Sequence, residues 1–408
     1  MKCRHCQSEL ALPFIDLQTS PPSNSYLSAE QLSAPEKWYP LRVQTCTACW
    51  LVQTEDYAHA DELFAEDYAY FSSFSSTWLE HSKAYVEAMA ERFRLGADSH
   101  VVEVASNDGY LLQYVQARGI PCLGVEPTKS TAEAARGKGI EVVEKFFGVE
   151  LAEELVQAGR AADLTAANNV LAHVPNINDF VAGFAVLLKP RGVATFEFPH
   201  LARLVADCQF DTIYHEHFSY LSLTAVRTTF ERNGLSVFDV EELPTHGGSL
   251  RVFAQRSDSS THPVAPAVGK LLAREAQLGV TSADYYLGFQ ARAERIKDDL
   301  LEFLIVAKRD GKRVGAYGAA AKGNTLLNFA GVRADLLPWV VDRNPAKQGK
   351  FLPGSRIPIV DEGQLWRGRP DYVLVLPWNL KVELTKQLGG IREWGGRFVF
   401  AVPSLQVE

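Results

Sequence analysis

Segments typical of buried β-strands alternate with segments of helical periodicity through most of this chain, and this alternation constrains its fold more than any other feature. Val101–Val104 and Cys122–Val125 predict strands, and Tyr110–Arg118 between them predicts a helix. Strands that alternate with helices form a parallel sheet covered on both faces, so the sequence predicts an α/β fold. Further elements are predicted as a helix at Ser76–Leu95, a helix at Thr131–Lys138, strands at Glu141–Val143, Leu164–Asn168 and Val193–Phe198, and closing antiparallel strands within 239–255.

A second α/β unit follows a mainly helical stretch at 265–309. It begins at Arg313–Gly318, and further strands are predicted near Trp339–Asp342, Tyr372–Leu376 and Phe398–Val402. The length of 408 residues fits two or three domains at about 150 residues each.

The charge balance excludes several classes of partner. A net charge of −8 offers no basic field for nucleic acid or for an anionic membrane. No apolar run reaches the roughly 20 residues that a membrane helix needs, and the first residues contain no apolar signal core. We therefore expect a cytoplasmic protein, either a monomer or a weak homo-oligomer.

Four of the six cysteines form two pairs with the spacing of zinc ligands, Cys3-x-x-Cys6 and Cys46-x-x-Cys49. Each pair can present two thiolates from one turn, and two such turns complete a tetrahedral zinc site with no open position. The alternative is two unrelated redox or structural pairs. We favour structural zinc in a segment, residues 1 to about 60, for which we expect short irregular structure without a core of its own.

The turn after the first predicted strand suits a nucleoside with a positive charge. Glu103 near the strand end would repel a pyrophosphate, and Glu126 at the end of the next strand can accept bonds from ribose hydroxyls. The predicted cofactor is therefore S-adenosylmethionine, although these could be ordinary turn residues of an α/β fold. The turn itself consists of Ala105, Ser106, Asn107, Asp108 and Gly109.

Polar side chains also follow a later strand, where the active sites of open α/β sheets gather. Asn168 and Asn169 lie there, and we assign both to the cofactor site. Phe147 could pack against an adenine ring, although an aromatic pair such as Phe146–Phe147 is more often core.

The densest set of reactive groups is the stretch Tyr214-His215-Glu216-His217. Apolar neighbours predict partial burial, where pKa values shift and acid–base groups become useful. If the stretch is extended, Tyr214 and Glu216 share one face, while His215 and His217 share the other. A surface histidine cluster is the alternative.

The second α/β unit offers a possible phosphate site after its first strand. Backbone N–H groups after Gly318 and the side chain of Lys322 could hold a phosphate, and Asp342 after the next strand could contact the nucleoside. The unit could equally be a lid. The turn of His246, Gly247 and Gly248 could line the cleft or could be an ordinary hairpin.

Together these motifs resemble the sugar C-methyltransferases that act on thymidine-diphosphate-linked 4-keto-6-deoxy sugars. The resemblance covers nearly the whole chain. It rests on the paired CxxC, Glu103-Val-Ala-Ser-Asn-Asp-Gly109, Asn168-Asn169-x-x-x-His173, Glu216-His217, His246-Gly247-Gly248-Ser249-x-Arg251 and Gly318-x-x-x-Lys322-Gly323.

The resemblance implies a three-part architecture and roles for individual residues. The parts are a zinc-binding domain at 1–65, a class I methyltransferase domain at 66–258 and a Rossmann-like nucleotide-sugar domain at 259–408. By the family pattern His217 is the base, Glu216 and Tyr214 support it, and His173 is a further active-site histidine. A substrate-contacting tyrosine matches Tyr70 in preference to Tyr68. Substrate contacts are implied for His215, His246, Gly247, Gly248, Arg251, Gly318, Lys322 and Asp342. His215 stands where the antibiotic-sugar members are expected to have an acidic residue, so the base and the sugar stay open.

The reaction this predicts is C-methylation at C3′ of a sugar linked to thymidine diphosphate. A sugar carbon becomes nucleophilic beside a ketone once a base has removed its proton. The rival hypotheses are an O- or N-methyltransferase on a small metabolite and a non-catalytic nucleotide-sugar-binding protein. A nicotinamide-dependent enzyme is disfavoured because G-x-G-x-x-G is missing.

Overall fold

A computed structural model describes residues 1–57 and 71–408 of the chain. Its strands form three sheets, which correspond in chain order to an N-terminal, a middle and a C-terminal region. Within the described ranges, no helix is both long and apolar enough to span a bilayer.

The N-terminal region contains a small antiparallel sheet. Its strands are β1 (Leu12–Ser20), β2 (Tyr39–Thr45) and β3 (Val52–Thr54). The prediction of irregular structure for residues 1 to 60 was wrong here. Register shifts at two places in β1 break the period-2 pattern that would have revealed a strand.

The middle region carries the first α/β sheet. Its helices and strands are α1 (Ser76–Phe93), β4 (Val101–Val104), α2 (Leu112–Ala117), β5 (Cys122–Val125), α3 (Lys129–Gly137), β6 (Val142–Val143), α4 (Val149–Gln157), β7 (Ala162–Asn168), α5 (Ile177–Leu187), β8 (Leu188–Pro199), α6 (Leu201–Ala206), β9 (Ser219–Tyr220), α7 (Leu223–Arg232), β10 (Leu235–Leu243) and β11 (Ser249–Arg256). In the described sheet the order is β10-β11-β8-β7-β4-β5-β6. Strands β8, β7, β4, β5 and β6 are parallel, and β10 and β11 close the sheet antiparallel, as predicted.

The C-terminal region carries the second α/β sheet, after two helices. Its elements are α8 (Pro266–Leu278), α9 (Phe289–Arg309), β12 (Val314–Tyr317), α10 (Ala321–Phe329), β13 (Val340–Val341), β14 (Ile359–Val360), α11 (Gly363–Gly368), β15 (Tyr372–Val375), α12 (Lys381–Gln387), β16 (Arg397–Phe400) and β17 (Gln406–Val407). The described order is β14-β13-β12-β15-β16-β17, and only β17 among these strands is antiparallel to its neighbour. The predicted α/β architecture is thus confirmed in both units.

Sequence signals fix the ends of several helices in the middle region. The Ser75 side chain accepts the Trp78 N–H at the start of α1, and the Ser222 side chain accepts the Ala225 N–H at the start of α7. Strand β4 is buried along its whole length, as its apolar run predicts, and it carries Glu103 into the interior.

The N-terminal sheet has no core of its own, in agreement with the prediction. Phe14 stacks on Phe289 of α9 with ring centroids 4.4 Å apart. Strand β3 pairs antiparallel with β9 of the middle region, where Gln53 lies opposite Ser219. This small sheet therefore joins the other two regions.

The domain boundaries at 65/66 and 258/259 stay predictions. The first lies outside the described residues. Helix α8, which follows the second, packs against α7 and β10 of the middle region, where Val268 and Leu271 join its hydrophobic core.

Candidate active site

The turns after β4 and β5 are tied together by the carboxylate of Glu126. Its Oε2 accepts the N–H of Asn107, and its Oε1 accepts the N–H of Thr128, both at 2.9 Å. Ala105 and Asn107 adopt positive φ angles of 58° and 48°, which bends the chain sharply after the strand. Burial raises the pKa of Glu126 above its ordinary value, and the two N–H groups oppose that rise.

Glu103 lies beneath this turn with both carboxylate oxygens buried. Neither oxygen makes a hydrogen bond of good geometry in the described part of the chain, although the Tyr110 hydroxyl and the Leu112 N–H lie close enough to lower the pKa of this carboxyl. Burial raises the pKa of Glu103 well above its ordinary value, the Glu126 and Asp108 carboxylates add to the rise, and the neighbouring Tyr110 hydroxyl offsets part of it. A buried carboxyl without a hydrogen bond of good geometry is costly, so its presence suggests a positively charged ligand above it.

The end of β7 contributes two asparagines with different environments. The side-chain amide of Asn168 is buried and has no partner among the described residues. Asn169 has a φ of 54°; its backbone N–H donates to the Glu197 carbonyl, and its side chain lies 3.2 Å from His246 Nε2. Phe147 is partly buried and packs against Phe184, with ring centroids 4.7 Å apart.

One cavity of about 580 Å³ joins these strand ends to the predicted acid–base cluster. The predicted residues in its described lining are Ala105, Asn107, Glu126, Phe147, Asn168, Asn169, His173, Tyr214, Glu216, His217, His246 and Lys322. Residues from all three regions of the chain therefore surround one space.

His217 is held in a defined orientation by its own turn. Its Nδ1 lies 2.8 Å from the Thr212 carbonyl, and because a carbonyl only accepts, Nδ1 carries the proton. Nε2 then accepts from the Tyr214 hydroxyl at 2.8 Å. Burial lowers the pKa of His217 well below its ordinary value, and the neighbouring His173, Lys322 and His246 lower it further. The imidazole is thus neutral near pH 7, and its basic nitrogen Nε2 meets the Tyr214 hydroxyl.

The stretch 214–217 is not extended, so the alternation of its side chains between two faces, which an extended chain would give, does not occur. Residues 214–217 form a turn in which the His217 N–H donates to the Tyr214 carbonyl. Tyr214 and His217 consequently lie together, with His173 packed edge-on at 4.6 Å from His217. Burial lowers the pKa of His173 to about 4.

Glu216 and His215, the other two residues of the stretch, lie in different surroundings. Glu216 lines the cavity and accepts a hydrogen bond from the side chain of Asn24. His215 lies outside the described lining, where its ring nitrogen approaches the Pro40 carbonyl at 3.2 Å and its ring packs on Tyr39.

Several predicted residues lie behind the described wall of the cavity. Ser106 and Gly109 are buried in the turn itself, and Lys138 pairs with Asp108 at 3.3 Å. Arg251 pairs with Glu197 at 2.6 Å within the sheet.

The hairpin between β10 and β11 has two sides. His246 lines the main cavity and contacts Trp78, with ring centroids 5.2 Å apart. Gly247 and Gly248 line a second cavity of about 410 Å³, together with His200 and Arg203.

The C-terminal region supplies cations to the opposite wall. Lys322 Nζ donates to Asn379 Oδ1 at 2.7 Å and lies 4.7 Å from the centre of the Trp378 ring. Trp378 Nε1 in turn donates to Asp211 Oδ2 at 2.7 Å. Burial lowers the pKa of Lys322 and raises that of Asp211 to about 6.

Gly318 and Asp342 shape this wall from behind it. Gly318 has a φ of 91° and its Cα lies against Pro377, where a Cβ would clash. Asp342 accepts the N–H groups of Ala319, at 2.7 Å, and of Asn344, at 2.8 Å.

Sequence reasoning missed Asn24, Trp78 and Lys347, which also line the cavity. Lys347 donates to the Ala319 carbonyl at 2.8 Å. Asn24 lies in a Pro/Ser-rich stretch, whose composition indicates only a loop. Tyr68 and Tyr70, the predicted substrate tyrosines, lie outside the described residues.

The four cysteines of the two CxxC pairs meet in a cluster suited to zinc. Their sulfur atoms all lie within 4.8 Å of one another, and Cys3–Cys49 and Cys6–Cys46 are 3.6 Å and 3.4 Å apart. Tetrahedral thiolates about 2.3 Å from zinc lie roughly 3.8 Å from each other, so the residues present fit the metal. With four thiolates the site is closed, which makes the metal structural.

Three protein-family models match the chain in succession. They are a putative zinc-binding domain over residues 3–64, a methyltransferase domain over 78–240 and a C-methyltransferase C-terminal domain over 244–403.

A full-length relative is C-methyltransferase NovU from Streptomyces niveus. It is 36% identical over 406 residues, which cover 100% of this chain and 96% of NovU.

Two solved methyltransferase structures match less than half of this chain. Magnesium protoporphyrin IX methyltransferase (ChlM) from Synechocystis PCC 6803, with bound SAH, is 16% identical; the match covers 44% of this chain and 83% of that one, with a TM-score of 0.35. A putative S-adenosylmethionine-dependent methyltransferase from Listeria monocytogenes is 12% identical; the match covers 44% and 100% of the two chains, with a TM-score of 0.34.

Proposed function

This chain belongs to the C-methyltransferase family and is an S-adenosylmethionine-dependent enzyme, and we propose that it methylates carbon 3 of a thymidine-diphosphate-linked 4-keto-6-deoxy sugar. The observation that supports the proposal is that His217 and the turn at Asn107 and Glu126 line the same cavity. A base beside a methyl donor is what carbon alkylation next to a ketone requires.

The residues at the ends of β4, β5 and β7 fit S-adenosylmethionine. Glu126 keeps lone pairs for ribose hydroxyls, and the amide of Asn168 has no partner among the described residues. Burial keeps Glu103 protonated without ligand, and a ligand that carries an ammonium and a sulfonium would favour its ionised form. When bound, S-adenosylmethionine supplies an electrophilic methyl group.

The turn at 212–217 supplies the base. His217 accepts the proton of carbon 3 at Nε2, and the electron pair of that C–H bond moves into the enolate with the 4-keto oxygen. The Thr212 carbonyl holds the opposite nitrogen protonated, so the imidazole becomes an imidazolium that stays hydrogen-bonded on that side. Such a positioned base contributes on the order of 10²–10⁴-fold.

The wall of the C-terminal region suits the nucleoside diphosphate. Lys322 and Lys347 bring two ammonium groups to the same cavity, and anionic phosphates pair with such groups. Tyr214, Glu216 and His173 surround His217 and are proposed to bind the sugar or to support the base. The roles in cofactor and substrate binding that the family resemblance implies for the other predicted residues remain part of this proposal.

Solvent exchange tests the proposal directly. We expect the protein, incubated in deuterated water with thymidine-diphosphate-linked 4-keto-6-deoxy sugars, to introduce deuterium at carbon 3 without cofactor, as read by mass spectrometry. With S-adenosylmethionine we expect one methyl group on that carbon. A methyl group found on oxygen or nitrogen, or neither exchange nor methyl gain with any keto sugar, would contradict the proposal.

A further inference from the structure

The Pro/Ser-rich stretch at residues 20–27, here called the strap, is fixed against the C-terminal region. The Ser23 carbonyl accepts from the Asn324 side chain at 2.6 Å, and the Tyr26 hydroxyl donates to the Ala319 carbonyl at 2.7 Å. Leu27 exchanges two backbone hydrogen bonds with Phe351, at 3.0 and 2.8 Å. A segment that composition marks as a loop is therefore held in one conformation at several points.

The strap presents Asn24 to the cavity. Its Nδ2 donates to Oε2 of Glu216 at 2.5 Å, across 192 positions of sequence. The Glu216 side chain is 1% exposed and adjoins His217 in the chain. A short hydrogen bond donated to a buried carboxylate fixes its direction and favours its charged form.

We propose that Asn24 is a positioning residue for methyl transfer, which acts by orienting the Glu216 carboxylate beside the base. This inference rests on the proposed function. An ionised Glu216 accepts a hydrogen bond from a sugar hydroxyl and stabilises the imidazolium that forms at His217.

The surroundings of Glu216 make its charge depend on Asn24. Burial raises the pKa of Glu216 to about 7, and the hydrogen bond from Asn24 opposes that rise. Among the described residues, the titratable groups near Glu216 include His173, His217 and the Tyr26 phenol. The Lys347 ammonium lies 5.1 Å from the centre of the Tyr26 ring and 3.8 Å from the Asp342 carboxylate. Loss of the Asn24 amide therefore moves the pKa of Glu216 upward and leaves more of it protonated near pH 7.

The experiment compares Asn24→Ala in the full chain with Ser25→Ala, an exposed neighbour in the same strap. We expect Asn24→Ala to lower kcat about 10- to 100-fold, since a hydrogen bond to a charged group is lost. The acidic limb of its pH–rate profile should move to higher pH, and Ser25→Ala should match the wild type. Unchanged kcat and an unchanged profile in Asn24→Ala would overturn the proposal.

A double-mutant cycle separates positioning from general support. In a Glu216→Gln background, Asn24→Ala should cause little further loss if Asn24 acts through Glu216. A full multiplicative loss would show a merely structural role. If Asn24→Ala fails to fold, the near-isosteric Asn24→Asp takes its place. The acidic limb of the pH–rate profile should then move further to higher pH, because the new carboxylate lies next to that of Glu216.

A titration independent of turnover completes the design. With ¹³C-labelled glutamate carboxyls, the Glu216 resonance should titrate at higher pH in Asn24→Ala than in the wild type, with Glu216→Gln used for assignment. If the wild type is inactive on every keto sugar, the proposed function is contradicted, but the link between Asn24 and Glu216 is not. An unmoved Glu216 titration defeats the link between Asn24 and Glu216.

Discussion

The two α/β sheets share an architecture, yet the polar groups at their carboxyl edges differ in how they are satisfied. At the edge of the middle sheet, the amide of Asn168 is buried without a partner in the described chain, and the buried carboxyl of Glu103 makes no hydrogen bond of good geometry there. At the edge of the C-terminal sheet, Asp342 accepts two backbone N–H groups and Lys322 donates to Asn379. Buried polar groups are normally paired, so the first edge is built to receive a ligand and the second is largely complete by itself.

The second edge also supports the first. The Thr325 hydroxyl donates to the Ile213 carbonyl at 2.8 Å, and Trp378 donates to Asp211, both next to the turn that carries His217. We therefore propose that the middle edge binds the cofactor and that the C-terminal edge supports the turn of the proposed base.

The largest effect is expected from His217→Asn, compared with His215→Asn. Loss of the base should lower kcat about 10²- to 10⁴-fold, while S-adenosylmethionine binding, measured by calorimetry, stays near the wild-type value. His215 lies outside the described lining, so its variant should lose far less. A greater loss in His215→Asn would mean that the base is assigned to the wrong histidine.

Removal of zinc should come next in size. Strand β3 begins three residues after Cys49 and pairs with β9, which begins two residues after His217. The Thr54 hydroxyl donates to the His217 carbonyl at 3.3 Å. A strong chelator should therefore lower kcat by about 100-fold, because a small displacement of the base suffices for such a loss. Cofactor affinity at the middle edge should change much less. The metal content of each sample, measured by mass spectrometry, serves as the control, and activity that survives complete metal loss would refute the link.

A third test sets Glu126→Gln against Asp342→Asn, one carboxylate from each edge. Each accepts two backbone N–H groups, so the two changes are chemically matched. The first should weaken S-adenosylmethionine binding about 10- to 100-fold in calorimetry, since hydrogen bonds to a charged group are lost. The second should leave that Kd within about threefold. If both variants weakened S-adenosylmethionine binding equally, the proposal that the middle edge alone binds the cofactor would be contradicted.

The smallest effect concerns stability in Glu103→Gln. Burial raises the pKa of Glu103, so the folded chain keeps a proton that the unfolded chain releases above about pH 4.3. Its contribution to the free energy of unfolding is therefore full below that pH and declines as pH rises through the folded-state pKa.

Gln does not titrate, so the variant without cofactor should be about 1–3 kcal/mol more stable than the wild type at pH 8 and should bind S-adenosylmethionine more weakly. Thermal unfolding at pH 5 and pH 8, with and without cofactor, measures both effects. A wild-type curve that does not decline between these pH values would contradict the burial argument.

Local sequence predicted the two α/β sheets well, and it brought the residues of the proposed cofactor site together. Val101–Val104 is a continuous apolar run, and the carboxyl ends of parallel strands meet at one edge, so Asn107, Glu126 and Asn168 could be placed together from spacing alone. Helix positions followed from periodicity in the same way.

The remaining features depend on contacts between distant segments. Asn24 meets Glu216 only through the folded strap, and no periodicity marks either residue. His215 and His217 differ in their surroundings because the chain turns between Tyr214 and His217, which an alternation rule cannot anticipate. Strand β1 was missed because its bulges interrupt the alternation, and its apolar residues are covered by a helix more than 250 positions away.

The pairing of β3 with β9 also dictates an order of assembly. Gln53 needs Ser219 as its strand neighbour, and Leu27 needs Phe351. During synthesis Leu27 and Gln53 are therefore made before the residues they pair with, and they acquire these native neighbours only later. The pairing of β3 with β9 and of Leu27 with Phe351 is therefore completed only after the middle and C-terminal regions have been made.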